Sequence, residues 1–154
     1  MLLSDIIDQS TVISWSSITS KKKLFQEISS YLGKINRLNS DLIFSALQER
    51  EHLGPTAMGK GVAIPHARIE EVKNIRGLFV RLDKPVRFDA LDKQAVDLIF
   101  TLIAPINDGV EHLRALAKVS RILRNSDVCK KLRSTEDNTA LYSILTQDID
   151  IKAA

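Results

Sequence analysis

The chain is poor in several things, and each shortage removes a class of protein. It has a single cysteine, Cys129, which excludes an internal disulfide and is consistent with a reducing compartment. No apolar run reaches the roughly 18 residues that a membrane-spanning helix needs. The N-terminus lacks a basic segment followed by an apolar one, so no secretory signal is read there. The cytoplasm is the expected location, without membrane insertion. There is no basic arm either. The formal charge of +3 comes from scattered Lys and Arg, and nucleic acid is not an expected partner. Histidines at H-x-x-x-H spacing, cysteine pairs and clustered His/carboxylate sets are all missing, so no metal is expected, and nothing points to a cofactor. The absence of a G-x-S-x-G elbow argues against a Ser-His-Asp hydrolase. The Gly59-Lys60-Gly61 element lacks the rest of a P-loop.

Glycine and proline are scarce as well, six and four in the chain, yet Gly54, Pro55, Gly59, Gly61 and Pro65 crowd into one segment. Such residues mark places where a backbone takes unusual angles or approaches a ligand closely. The segment runs from Arg50 to Arg68, R-E-H-L-G-P-T-A-M-G-K-G-V-A-I-P-H-A-R. It begins on the last turn of an expected helix, crosses a Gly-rich loop and delivers His66 after the apolar run Val62-Ala63-Ile64.

The rest of the chain is ordinary in composition and without repeats, low-complexity stretches or linkers, so residues 1–154 are read as a single domain. Leu2, Leu3, Ile6 and Ile7 suggest an amphipathic lead-in, and Thr11 to Trp15 a first strand. Thr19-Ser20 caps a helix carrying Leu24, Phe25, Ile28, Leu32 and Ile35, with Gly33 as a candidate early stop. Asn39-Ser40 caps a second, whose apolar stripe is Leu42, Ile43, Ala46, Leu47 and Leu53. Strands are expected at Val62–Ile64 and Gly77–Leu82, with Asp83-Lys84-Pro85 as a turn and Pro85–Asp92 irregular or at an edge. Val96–Ala104 is almost unbroken apolar, the mark of a strand covered on both faces. Asp108 and Glu111 have capping-box spacing before a long helix with Val110, Leu113, Leu116, Ala117, Ser120 and Leu123 facing in. Helices follow at Asp127–Leu132 and from Thr135, and Ile149–Ala154 is expected to fray. These elements predict an α/β fold, a three-layer α/β/α sandwich around a mixed, mostly antiparallel central sheet.

Three residues stand out for chemistry. His66 follows a proline that restricts the backbone and precedes a small residue that leaves the ring accessible. Neutral imidazole is a nucleophile near pH 7. Upstream, backbone N–H groups around Gly54, Gly59 and Gly61 are expected to converge on an anion. Arg50, where the helix meets the loop, offers a planar fork for phosphoryl oxygens, against the alternative of a solvated helix-end charge. His112 sits near the start of the long helix, off its expected inner face. It is read either as an exposed residue or as a donor to a phosphoryl group on His66. His52 is expected to be structural, and Cys129 to be packed rather than reactive.

At these residues the chain resembles the enzyme IIA components of the bacterial phosphoenolpyruvate-dependent phosphotransferase system, of the mannitol/fructose class and nearest to its nitrogen-regulatory branch. The resemblance rests on Arg50-Glu51, Gly54-Pro55-Thr56-Ala57 and Gly59-Lys60-Gly61-Val62-Ala63-Ile64-Pro65-His66. Further blocks are Asp83 to Asp92 (D-K-P-V-R-F-D-A-L-D), Val96 to Pro105 and Glu111 to Leu116. It covers essentially the whole chain in order. It implies a phosphotransferase component in which His66 accepts a phosphoryl group, as a tele-phosphohistidine, from an HPr-like carrier. Arg50 and His112 would support the group, and Thr56 would contact it through hydroxyl or backbone. Implied partners are that carrier and regulatory targets such as sensor kinases or potassium-transport proteins. A sugar-specific IIA passing phosphoryl to a IIB domain, and a binding module that is never phosphorylated, are the alternatives. Pro55 stands where Ser or Thr is common, Ala57 where Gly is usual, and Ala67 where Gly is commoner.

Overall fold

The computed structural model describes residues 1–147; the expected fraying of Ile149–Ala154 lies outside them. Among the described residues, six strands and five helices follow two short 3-10 turns, Leu3–Asp5 and Gln9–Thr11. The turns replace the expected amphipathic lead-in. Asp5 and Asp8 side chains accept from the N–H groups of Leu2 and Ser10, and such local bonds compete with a continuous helix.

Strand β1 is Val12–Trp15. Helix α1, Lys21–Asn36, is capped by Ser20, and α2, Ser40–His52, by Asn39. Short strands β2 (Ala57–Gly59), β3 (Val62–Ala63) and β4 (His66–Arg68) lead to the long β5 (Arg76–Val86) and β6 (Val96–Ala104). Helices α3 (Gly109–Arg124), α4 (Ser126–Arg133) and α5 (Asn138–Thr146) complete the described chain. The sheet order is β1-β5-β6-β3-β2, with β4 also on β6. It is mixed, as expected. β5–β6 and the β2–β3 hairpin are antiparallel, while β1 joins β5, and β3 and β4 join β6, in parallel.

Alternation along β6 explains its unbroken apolar letters. Leu98, Phe100, Leu102 and Ala104 enter the core that α3, α4 and α5 close, together with Phe79 and Val12. Ile99 and Ile103 enter the other core, under α1 and α2, with Leu24, Phe25, Ile28, Ile43 and Leu47. Helices therefore cover both faces of the sheet, giving three layers.

Several sequence expectations are corrected. Asp83-Lys84-Pro85 is no turn: β5 continues to Val86, and its register against β6 shifts between Arg81 and Val86. Proline is tolerated at such an irregularity because no ladder bond requires its missing N–H. Gly33 does not stop α1, which runs to Asn36 and ends on Arg37 with a left-handed φ of 57°. A Cβ at Gly33 would come within 2.9 Å of the Leu38 carbonyl oxygen, so the glycine lets α1 approach the segment that enters α2. The expected strand Val62–Ile64 breaks before Pro65 and resumes at His66. Helix α3 is turned from its expected face: His112, Ala115, Val119, Ile122 and Leu123 point inward, whereas Val110 and Leu113 are 63% and 65% exposed.

Candidate functional site

His66 opens β4 and pairs in register with Leu102 of the central strand. The Leu102 N–H donates to the Pro65 carbonyl at 2.9 Å, so the backbone beneath the ring is held by the most buried part of the sheet. The ring is fixed as well. Nδ1 lies 2.8 Å from the Ile64 carbonyl oxygen. That oxygen can only accept, so Nδ1 carries the proton and Nε2 of the neutral ring carries the lone pair. Arg50 Nε donates to Nε2 at 3.3 Å. Burial lowers the His66 pKa; the Ile64 bond raises it, the Arg50 charge lowers it and the Glu51 charge raises it. The net direction is down, which keeps the ring neutral and nucleophilic at pH 7.

Arg50 projects from the last turn of α2, and its Nη1 donates to the Gly54 carbonyl at 3.0 Å. From the opposite layer, α3 brings His112 edge-on to His66, with ring centroids 5.5 Å apart. His112 is 5% exposed, not an exposed residue off the helix's inner face. Its Nε2 is buried without a hydrogen-bond partner among the described residues. Burial, then the His66 and Arg68 charges, push its pKa down to about 4. The expected trio of Arg50, His66 and His112 thus meets in one cleft of about 730 Å³. His52 is exposed and lines the same cleft.

Thr56 and the glycine cradle are placed otherwise. The Thr56 N–H and hydroxyl both donate to the Glu51 carboxylate, at 2.9 and 2.6 Å, and the residue is buried. Both donors expected to face a phosphoryl group are already engaged. Gly59 and Gly61 belong to the turn of the β2–β3 hairpin, where a Cβ would meet Asp92 and Arg133 respectively. They do not converge with Gly54 on an anion at His66.

Two residues were missed. Glu51 is buried at the end of α2 and accepts from Lys21 Nζ at 2.9 Å as well as from Thr56, which ties the loop after Arg50 to α1. The available signal was an acid at a helix C-terminus, where the dipole disfavours it; a partner was therefore needed. Arg68 lines the cleft, two residues beyond His66 on β4 and so on the same face of the strand. Strand alternation from His66 would have found it. Apolar side chains rim the opening: Leu53, 85% exposed, and Leu113. Among the described residues, no three His, Cys, Asp or Glu side chains are grouped to hold a metal ion, and no helix is long and apolar enough to cross a membrane. A neutral histidine with a directed lone pair, flanked by two guanidiniums and an unpartnered imidazole nitrogen, is suited to taking up a compact anionic group.

Comparison with known proteins gives the family. The family described as "Phosphoenolpyruvate-dependent sugar phosphotransferase system, EIIA 2" matches residues 5–148. A nitrogen regulatory protein of Bradyrhizobium diazoefficiens is 41% identical over 145 residues, covering 94% of this chain and 95% of that one. A fructose-specific EIIA component of Haloferax volcanii is 33% identical over 110 residues, 71% of each chain. The crystal structure of nitrogen regulatory protein IIA-Ntr from Neisseria meningitidis superposes with a TM-score of 0.87 at 36% identity, covering 94% of this chain and 99% of that one. The chain belongs to the EIIA type-2 family of the phosphotransferase system, whose work is phosphotransfer between components, and it has nitrogen regulatory proteins among its relatives.

Proposed function

We propose that this protein is a cytoplasmic phosphocarrier of the nitrogen-regulatory phosphotransferase branch. It accepts a phosphoryl group on Nε2 of His66 from a phosphohistidine of an HPr-like carrier, and its phosphorylation state decides which partner proteins it binds. The observation that carries the reading is the hydrogen bond from His66 Nδ1 to the Ile64 carbonyl, which leaves the Nε2 lone pair directed into the cleft. That lone pair attacks phosphorus in line with the donor's N–P bond. The bond breaks with its electron pair returning to the donor imidazole. Positive charge then grows on the His66 ring, and the Nδ1–H bond to Ile64 stabilises it. Arg50, displaced from Nε2 by the incoming group, donates to a phosphoryl oxygen instead, and His112 supplies the other donor. Thr56 acts through Glu51, holding the loop that follows Arg50. The added charge of about −1.5 to −2 reverses the local potential beside Arg50 and Arg68 and so changes the docking surface. Sensor kinases and potassium-transport proteins are the partner classes this reading names.

The test is intact mass after incubation with a phosphoenolpyruvate-driven enzyme I and carrier. Wild type gains one acid-labile phosphoryl group and His66→Ala gains none. Wild type left unmodified by donors that phosphorylate a control IIA would overturn the reading and favour a binding module. A second reading, a sugar-specific IIA, draws on the fructose-specific relative. It requires that the phosphorylated protein discharge onto a sugar-pathway IIB, and failure to do so retains the regulatory reading.

A further inference from the structure

The turn of the β2–β3 hairpin borders a second cavity of about 910 Å³, closed by α3 and α4 and sharing no lining residue with the His66 cleft. One wall is braced. Arg133 Nη2 donates to the Lys60 carbonyl and to Asp97, each at 2.8 Å. The Lys60 N–H donates to Asp92 at 2.8 Å. With those groups engaged, three cations of the lining remain: the Lys60 ammonium, the Arg124 guanidinium and the Lys130 ammonium. Among the described residues none of the three side chains has a hydrogen bond or an ion pair. Met58, Leu123 and Cys129 also line the cavity, Met58 exposed and the other two buried. The Cys129 thiol donates to the Leu123 carbonyl, and burial raises its pKa, so the floor is apolar and unreactive.

This combination selects a ligand class. A bare anion would neutralise the cations and leave Met58, 37% exposed, uncovered, while a neutral apolar molecule would do the reverse. The volume is that of small-molecule sites, which pair an apolar lining with a few placed charges. We propose that the cavity binds a small phosphate ester with a flat aromatic body. The phosphate lies on Lys60, Arg124 and Lys130, and the body lies on Met58.

The experiment is an amide-resolved NMR titration of the full chain with adenosine 5′-monophosphate, and in parallel with glucose 6-phosphate, inorganic phosphate and adenosine. Adenosine monophosphate is expected to give saturable shifts at Met58, Lys60, Leu123 and Lys130, with the other three compounds at least about tenfold weaker. The double variant Arg124→Gln/Lys130→Gln, altered only at exposed side chains, should bind it about tenfold or more weakly while His66 is phosphorylated as in wild type. No saturation up to about 10 mM, where binding is worth under 3 kcal/mol, overturns the proposal. So does equal affinity for inorganic phosphate, which would make the site a general anion patch, or a double variant that binds undiminished. An acidic peptide that displaces the nucleotide at lower concentration would make this face a protein-docking surface and overturn it as well.

Discussion

The two ends of the β2–β3 hairpin are built in opposite ways. At the turn, the charges that touch the backbone are matched. Arg133 grips Asp97 through Nε and Nη2 while holding the Lys60 carbonyl, and Asp92 receives the Lys60 N–H. At the His66 end, Arg50 and His66 bond each other and the backbone, but other groups are left open. Arg50 reaches the ring at 3.3 Å, and His112 Nε2 has no partner among the described residues. Arg68 has neither hydrogen bond nor ion pair among them. Buried polar groups are ordinarily hydrogen-bonded, because leaving one unpaired costs about 1–3 kcal/mol. The contrast separates a backbone braced by its own side chains from a site whose buried polar groups are left open. The braced turn holds its shape and leaves only exposed cations beside it, whereas at the His66 end a buried nitrogen is left for something that arrives.

The largest expected effect lies at the unmatched end. If His66 takes up the phosphoryl group as proposed, His112→Ala should slow its phosphorylation by about a hundredfold, and Arg50→Ala by a similar factor, each losing a donor that the proposal directs at the incoming charge. The measurement is the single-turnover rate with a phosphorylated carrier, with thermal unfolding confirming that each variant is folded. A His112→Ala variant that is phosphorylated at the wild-type rate would break the comparison, since the unpartnered nitrogen would then serve packing only.

The next effect lies at the matched end and concerns stability. Gly61 has a φ of +80°, and a Cβ there would stand 2.6 Å from Arg133 Nη2 and 3.0 Å from Asp97. Arg133 cannot yield cheaply, because three of its hydrogen bonds go to Asp97 and a fourth to the Lys60 carbonyl. Gly61→Ala should therefore destabilise the fold by about 2 kcal/mol, from left-handed strain and the displaced guanidinium together. Denaturant titration reads it. The folded fraction should still be phosphorylated normally, because no side chain of the cleft is touched.

What could be read from the letters follows the same division. Local chemistry was legible: Ser20, Asn39 and Asp108 cap the helices they were expected to cap, and Val96–Ala104 is the central strand because its letters are apolar on both faces. The meeting of Arg50, His66 and His112 was legible through the family motif. What failed depended on partners distant in sequence. Gly59 and Gly61 were read as an anion cradle, but their reason is Asp92, Asp97 and Arg133. Thr56 was read as facing the phosphoryl group, but its donors go to Glu51, whose burial in turn depends on Lys21 in another helix. The face of α3 was misjudged because Val110 and Leu113 fit helical spacing as well as the true inner residues do. Periodicity counts apolar letters and cannot register that some of them face out over a cleft while a histidine faces in.

The smallest effect sharpens the comparison through pH. His66 and His112 both have folded pKa values below the ordinary 6.5, the latter at about 4. Below pH 6.5 the unfolded chain binds protons that the folded chain refuses, so stability is full above that pH and is lost as the pH falls toward the folded values. By pH 5.5 His112 alone should cost about 1.4 kcal/mol, and His66 should add to the loss in the same direction. The matched end is silent in this window. Asp92 is held below its ordinary value of 3.8 by the N–H groups of Lys60 and Gln94, so its contribution is lost only as the pH falls from about 4 toward the folded value, below this window. Unfolding free energies at pH 7.5 and 5.5 should therefore differ in wild type and differ less in His112→Gln, which lacks one of the two rings. An equal pH dependence in the variant would mean that His112 titrates as it does in the unfolded chain. Its ring would then be hydrated in solution, and the unmatched end would be open to water rather than held ready for a partner's group.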